Sequence, residues 1–153
     1  MVAYRRCEMH TKISNPMDYK VALYIRLSKE DDGEQQESQS VINQRSLLKD
    51  FTNTHKLDVY DEYVDDGFSG TSFDRPSFKR MIGDIESKKV NMVITKDMSR
   101  LGRDYIMTGH YMERFFPENS VRYISILDGI DTGVDSTAND ITPFRAIMKI
   151  MCS

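Results

Sequence analysis

An arginine and a serine are the first residues in this sequence whose types and spacing suit chemistry. Arg26 and Ser28 lie two apart in the segment Lys20 to Ser28, KVALYIRLS. Side chains alternate between the faces of a strand, so this guanidinium and hydroxyl share one face. A serine beside an arginine suits attack on a phosphate. The cation neutralises the group under attack, and its fork holds two oxygens at once. Taken alone, the pair fits better with a serine that caps the next turn and an arginine that pairs with the acidic loop after it.

A second cluster is Ser99-Arg100-Leu101-Gly102-Arg103-Asp104. Arg100 and Arg103 are three apart and share a face if they enter a helix. They follow an apolar strand, near a helix N-terminus that itself favours anions. Cations there oppose the helix dipole unless an anion sits between them, and a local rule broken at one point marks a functional site. A salt-bridge role is the alternative. A third piece, Asp66-Gly67-Phe68-Ser69-Gly70 followed by Asp74-Arg75-Pro76, reads as a flexible loop with Arg75 just before a proline helix start. There is no Walker loop and no GxGxxG fingerprint. His10, His55 and His110 lack ligand spacing, so no metal is expected. No serine has a recognisable histidine partner, which weakens an acyl-transfer reading. The methionines read as core.

These residues need a scaffold. In Lys20 to Ser28 the odd positions Val21, Leu23, Ile25 and Leu27 are all apolar, which reads as a strand with one fully buried face. A helix is expected over Ser40 to His55 and a strand over Leu57 to Val64, ended by Asp65-Asp66-Gly67. Pro76 opens a helix through about Lys88, with Phe78, Met81, Ile82 and Ile85 inward. Val90 to Thr95 is a third strand. Asp104 to Phe116 is a helix stopped by Pro117, and Val121 to Leu127 is a fourth strand. Strands alternating with helices of this length give an α/β fold, a mostly parallel four-stranded sheet flanked by helices. Open sheets of that kind bind ligands at the carboxyl ends of their strands, where Arg26 and Arg100 fall. Residues 1–18 read as a flexible leader. After Thr142-Pro143, the residues Phe144, Ile147 and Met148 start an amphipathic helix too short to be stable alone. The sequence reads as cut there.

The length of 153 residues argues for one domain able to bury a core. No apolar run is long enough for a membrane span and no signal segment is present. Cys7 and Cys152 have no metal or redox spacing, which fits a reducing intracellular compartment. With 21 Lys plus Arg against 24 Asp plus Glu, the net charge of −3 by itself discourages a nucleic-acid partner. The charge is uneven, however. Glu30 to Asp74 holds twelve acids and three bases, whereas Arg75 to Arg103 holds eight bases and three acids.

Taken in order, Tyr24-Ile25-Arg26-Leu27-Ser28, Ser40-Val41-Ile42-Asn43-Gln44, Asp66-Gly67-Phe68-Ser69-Gly70 with Asp74-Arg75-Pro76, and Ser99-Arg100-Leu101-Gly102-Arg103 resemble the serine recombinase (resolvase/invertase) catalytic domain. The wording of Lys96-Asp97-Met98-Ser99-Arg100 and of Asn139-Asp140-Ile141-Thr142-Pro143-Phe144 is most similar to the large serine recombinases of mobile elements. The resemblance implies a resolvase-like three-layer catalytic domain over residues 19–141, with residues 142–153 starting the long dimerisation helix. It implies that Ser28 attacks a DNA phosphodiester to give a 5′-phosphoserine bond and a free 3′-hydroxyl. Arg26, Arg75, Arg100 and Arg103 would bind the scissile phosphate, with Gln44 and Asp66 in support and no cofactor. Small resolvases carry an aspartate where this chain has Ser99, so the proton carrier stays open among Asp97, an arginine and water. The implied partners are site DNA and, in a full-length protein, a homodimer and a synaptic homotetramer, in a bacterial cytoplasm at the nucleoid. Two other classes stay in view: a catalytically silent remnant or regulator, and a nucleotide-binding regulator, which the missing phosphate loop disfavours.

Overall fold

The computed structural model describes residues 13–27, 34–67, 72 and 74–133. Ser28, the glycine-serine loop at 68–70, most of the leader and the segment 142–153 lie outside the described residues. A 3-10 turn at Pro16–Asp18 leads into β1 (Lys20–Leu27), α1 (Glu34–Thr54), β2 (Asp58–Asp66), α2 (Pro76–Glu86) and β3 (Met92–Thr95). There follow α3 (Met98–Leu101), α4 (Tyr105–His110), a π turn (Tyr111–Phe115), α5 (Phe116–Glu118), β4 (Arg122–Ser125) and β5 (Ile130–Asp131).

The strands form one sheet in the order β2-β1-β3-β4-β5. The first four run parallel, and β5 pairs antiparallel with β4. The architecture is therefore α/β as expected, with a fifth strand added. Two residues are too few to show a period, which is why Ile130–Asp131 escapes a periodicity reading.

Because β1 is flanked by β2 and β3, it is buried beyond its exposed first residue Lys20: Val21 to Leu27 are each at most 1% exposed. Its odd side chains Val21, Leu23 and Ile25 pack with Leu47 and Leu48 of α1 and with Met92, Ile94 and Ile124. Its even side chains Ala22 and Tyr24 pack with Phe78, Met81 and Ile85 of α2 and with Tyr123. The expectation of one buried face is thus corrected to two. Parallel sheets are covered on both sides by their crossover helices, so alternation in β1 does not mean a wet face.

Helix α1 starts at Glu34, earlier than the Ser40 expected. Asp104 begins α4 by accepting from the amides of Ile106 (3.0 Å) and Met107 (3.4 Å), a side-chain cap. Pro117 does not stop the following helix. It sits in the first turn of α5, where its missing N–H costs nothing. The preceding π turn, closed by the Phe116 amide on the Tyr111 carbonyl, absorbs the change of register.

Candidate active site

The even face of β1 brings Tyr24 and Arg26 toward α2 and α3, and both are fully buried. Arg75, the residue before the proline start of α2, is also fully buried. Polar groups that deep must be partnered. Their partners define the site. The Nη2 of Arg26 donates to the Ser99 carbonyl at 2.7 Å. Arg75 donates through Nη1 to the Arg100 carbonyl at 3.2 Å and through Nη2 to the Leu101 carbonyl at 2.6 Å. Arg100 returns the contact, its Nη1 donating to the Arg26 carbonyl at 3.1 Å. Three successive carbonyls of α3 are therefore held by two buried guanidiniums.

Three arginines thus converge at the carboxyl ends of β1 and β3, and Arg103, exposed just past α3, lies within electrostatic range of Arg26. Burial first, then Arg100, Arg75 and Arg103, pull the Arg26 guanidinium down to about 10. Burial likewise lowers Arg75. Like charges crowded in a poorly solvated place oppose their own ionisation, and an anion placed among them relieves that cost. The aromatic rings of Phe78 and Tyr24 lie 4.8 and 5.5 Å from the Arg75 guanidinium carbon, giving the buried cation π faces to rest on.

The expected conflict between these cations and a helix N-terminus holds for one of the two. Arg100 stands in the last turn of the four-residue α3, where a cation suits the dipole, whereas Arg103 stands just before the N-cap of α4, where it opposes the dipole. Asp97 and Ser99 are adjacent in space: the Ser99 hydroxyl donates to Asp97 Oδ1 at 2.5 Å, and Asp97 Oδ2 lies 3.7 Å from Arg100 Nε. Gln44 of α1 is fully buried, and among the described residues neither polar atom of its amide has a hydrogen-bond partner. Asp66 pairs in register with Leu27 but is exposed. Ser28, the residue after β1, lies outside the described residues.

Three residues at the site escape a sequence reading. Tyr24 donates to Asp65 Oδ2 at 2.8 Å and accepts from Arg75 Nη1 at 2.8 Å. Asp65 also accepts from the amides of Ser77 and Phe78 at the start of α2, each at 2.9 Å. Asp128, beyond β4, accepts from the Met98 amide and the Ser125 hydroxyl, both at 2.7 Å, and so tethers the start of α3. Tyr24 could have been found from its place two residues before Arg26. Nothing in the sequence separates Asp65 from Asp66.

The family model described as Resolvase, N terminal domain, matches residues 21–151. Comparison with curated proteins found no match. Among solved structures, the N-terminal catalytic domain of TP901-1 integrase is 30% identical, with a TM-score of 0.72, over 86% of this chain and 95% of that one. A resolvase family site-specific recombinase from Streptococcus pneumoniae is 31% identical, with a TM-score of 0.67, over 86% and 87%. The C-terminal catalytic domain of ISC1926 TnpA, an IS607-like serine recombinase, shares the fold at 19% identity, with a TM-score of 0.60, over 70% and 69%. The arginine cluster at the sheet's carboxyl edge, the matched span and these identities together make this chain a member of the resolvase family, a serine recombinase catalytic domain.

Proposed function

We propose that this domain catalyses site-specific DNA recombination through a covalent 5′-phosphoserine intermediate. The observation that carries the reading is the convergence of Arg26, Arg75 and Arg100 beside the end of β1, the strand that Ser28 follows in the chain. In this mechanism the Ser28 oxygen attacks the phosphorus of one phosphodiester. The new bond is P–O to serine, the broken bond is P–O3′, and the 3′-oxygen leaves as a hydroxyl after gaining a proton. Rejoining is the reverse reaction with another 3′-hydroxyl. The number of phosphoester bonds is unchanged, so no nucleotide is consumed.

Arg26, Arg100 and Arg103 surround the negative charge that grows on the phosphoryl oxygens. Preorganised cations act most strongly where water is excluded, and removing one such donor typically costs about 100-fold or more in rate. Arg75 is committed to Tyr24 and to the α3 carbonyls, so its contribution is to hold the others in place. Asp97, hydrogen-bonded to Ser99 and 3.7 Å from Arg100 Nε, is the carboxylate we assign to take the proton that Ser28 loses. The partners in this reading are duplex DNA and further copies of the chain, assembled as a homodimer and then a synaptic homotetramer. In the described residues no helix is long and apolar enough to cross a membrane.

A covalent trap tests the proposal. The protein is incubated with pooled random-sequence duplexes carrying a nick, then denatured and run against free protein. An adduct carried on a 5′-phosphate and abolished by Ser28→Ala is the expected result. An adduct that persists without Ser28, or none at any concentration, overturns it.

A further inference from the structure

We propose that Asp65 is a positioning residue of this site, acting through the Tyr24 hydroxyl on Arg75 and, through Arg75, on the α3 turn that carries Arg100. The inference rests on the recombinase reading above for its catalytic consequence, and on geometry alone for its structural one.

The chain of contacts is continuous. Asp65 lies at the carboxyl end of β2, in register with Arg26, and is 3% exposed. Its two oxygens accept from the first amides of α2, so the strand end and the helix start are fixed to one carboxylate. That leaves Oδ2 also accepting from Tyr24. Burial holds the Tyr24 phenol well above its ordinary range, so it keeps its proton and donates it to Asp65. The Tyr24 oxygen is then turned lone-pair first toward Arg75 Nη1. A hydroxyl that donates to a carboxylate is a better acceptor for a cation, because hydrogen bonds in a chain polarise one another.

The far end of Arg75 is equally constrained. Its guanidinium is planar, so fixing Nη1 on Tyr24 aims both terminal nitrogens at the carbonyls of Arg100 and Leu101. The α3 turn has only four residues and little stability of its own. Its position depends on what grips its carbonyls. Asp66, one residue later in the chain, cannot substitute, because it points to solvent and alternate residues of a strand face opposite ways.

Tyr24→Phe is the informative variant, since it removes one hydroxyl and leaves the Asp65 contacts to α2 in place. Two measurements decide. Amide hydrogen exchange over residues 98–103, followed by mass spectrometry, needs no DNA. It should be faster in Tyr24→Phe and in Asp65→Asn, with the thermal midpoint of Tyr24→Phe close to wild type. Unchanged exchange in both variants overturns the proposal whatever the enzyme does. In the covalent-trap assay, Tyr24→Phe should slow adduct formation about tenfold, the loss of roughly one charge-assisted hydrogen bond, without weakening DNA binding. In an Arg75→Ala background, Tyr24→Phe should add nothing further. An additive loss there means that Tyr24 acts independently of Arg75, and the relay is wrong. A wild-type protein that forms no Ser28-dependent adduct refutes the recombinase reading instead, while the exchange result still judges the relay.

Discussion

Arg26 and Arg100 are tied to each other through the backbone: Arg100 Nη1 donates to the carbonyl of Arg26 at 3.1 Å, and Arg26 Nη2 donates to the carbonyl just before Arg100 at 2.7 Å. Two like charges are thereby held side by side with peptide carbonyls between them, and Asp97 Oδ2 stands 3.7 Å from Arg100 Nε as well. A carbonyl satisfies a hydrogen bond without adding a full negative charge, so it leaves positive field for a phosphate.

This geometry makes Arg26→Lys a severe change. Lysine keeps the charge but loses the planar fork that holds the Ser99 carbonyl and, in the proposed mechanism, the phosphate. Adduct formation is expected to fall about 100-fold, the usual cost of losing a preorganised donor. A rate within threefold of wild type would show that charge alone suffices there.

Gln44 predicts a trade between stability and activity. Its amide is fully buried and has no partner among the described residues, and a group left unsatisfied costs about 1–3 kcal/mol. Gln44→Leu should raise the urea midpoint and at the same time lower the rate of adduct formation. If the variant is both less stable and fully active, the amide has a structural partner and no role at the site.

The edge of the sheet depends on an ion pair. Arg122 of β4 and Asp131 of β5 form a two-pronged contact, at 2.8 and 2.7 Å, and their side chains are 9% and 3% exposed. Arg122→Met alone strands a buried carboxylate and should cost about 3 kcal/mol by urea denaturation. Combining it with Asp131→Leu should restore much of that loss. Equal destabilisation by the single and double variants would rule out a stranded charge as the cause.

His55 brings a pH dependence. Burial, and next the charge on Arg122, lower its affinity for a proton below the ordinary value, against an opposing pull from Asp131. The unfolded chain then binds a proton more readily than the folded one, so stability falls as pH drops through the ordinary histidine value of 6.5 toward the lower folded value. His55→Gln should lessen the acid loss relative to wild type in denaturant titrations at pH 7.5 and pH 5. A parallel decline in both proteins would assign the acid sensitivity to other groups.

Much of the scaffold was legible because short-range rules govern it. Alternating strands and helices require a parallel sheet, proline at position 76 opens α2, and Asp104 begins α4. The boundaries that shifted have local causes. Pro117 is harmless in a first turn, and α1 extends into a polar stretch that carries no apolar period. A two-residue β5 exists only because β4 offers it an edge.

The residues of this sequence by themselves determined the α/β class and the order of all its strands but β5, since spacing and residue type are local properties. Spacing singled out Ser28 and the arginines as candidates, and the resemblance to serine recombinases gave them their expected roles. Which groups hold the arginines was decided only by tertiary structure. Tyr24, Asp65, Arg75 and the α3 carbonyls meet across separations of up to 77 positions in the chain, from Tyr24 to Leu101. Between Asp65 and Asp66 the composition is identical, and the pleat of β2 alone chooses which carboxylate is buried and which faces water.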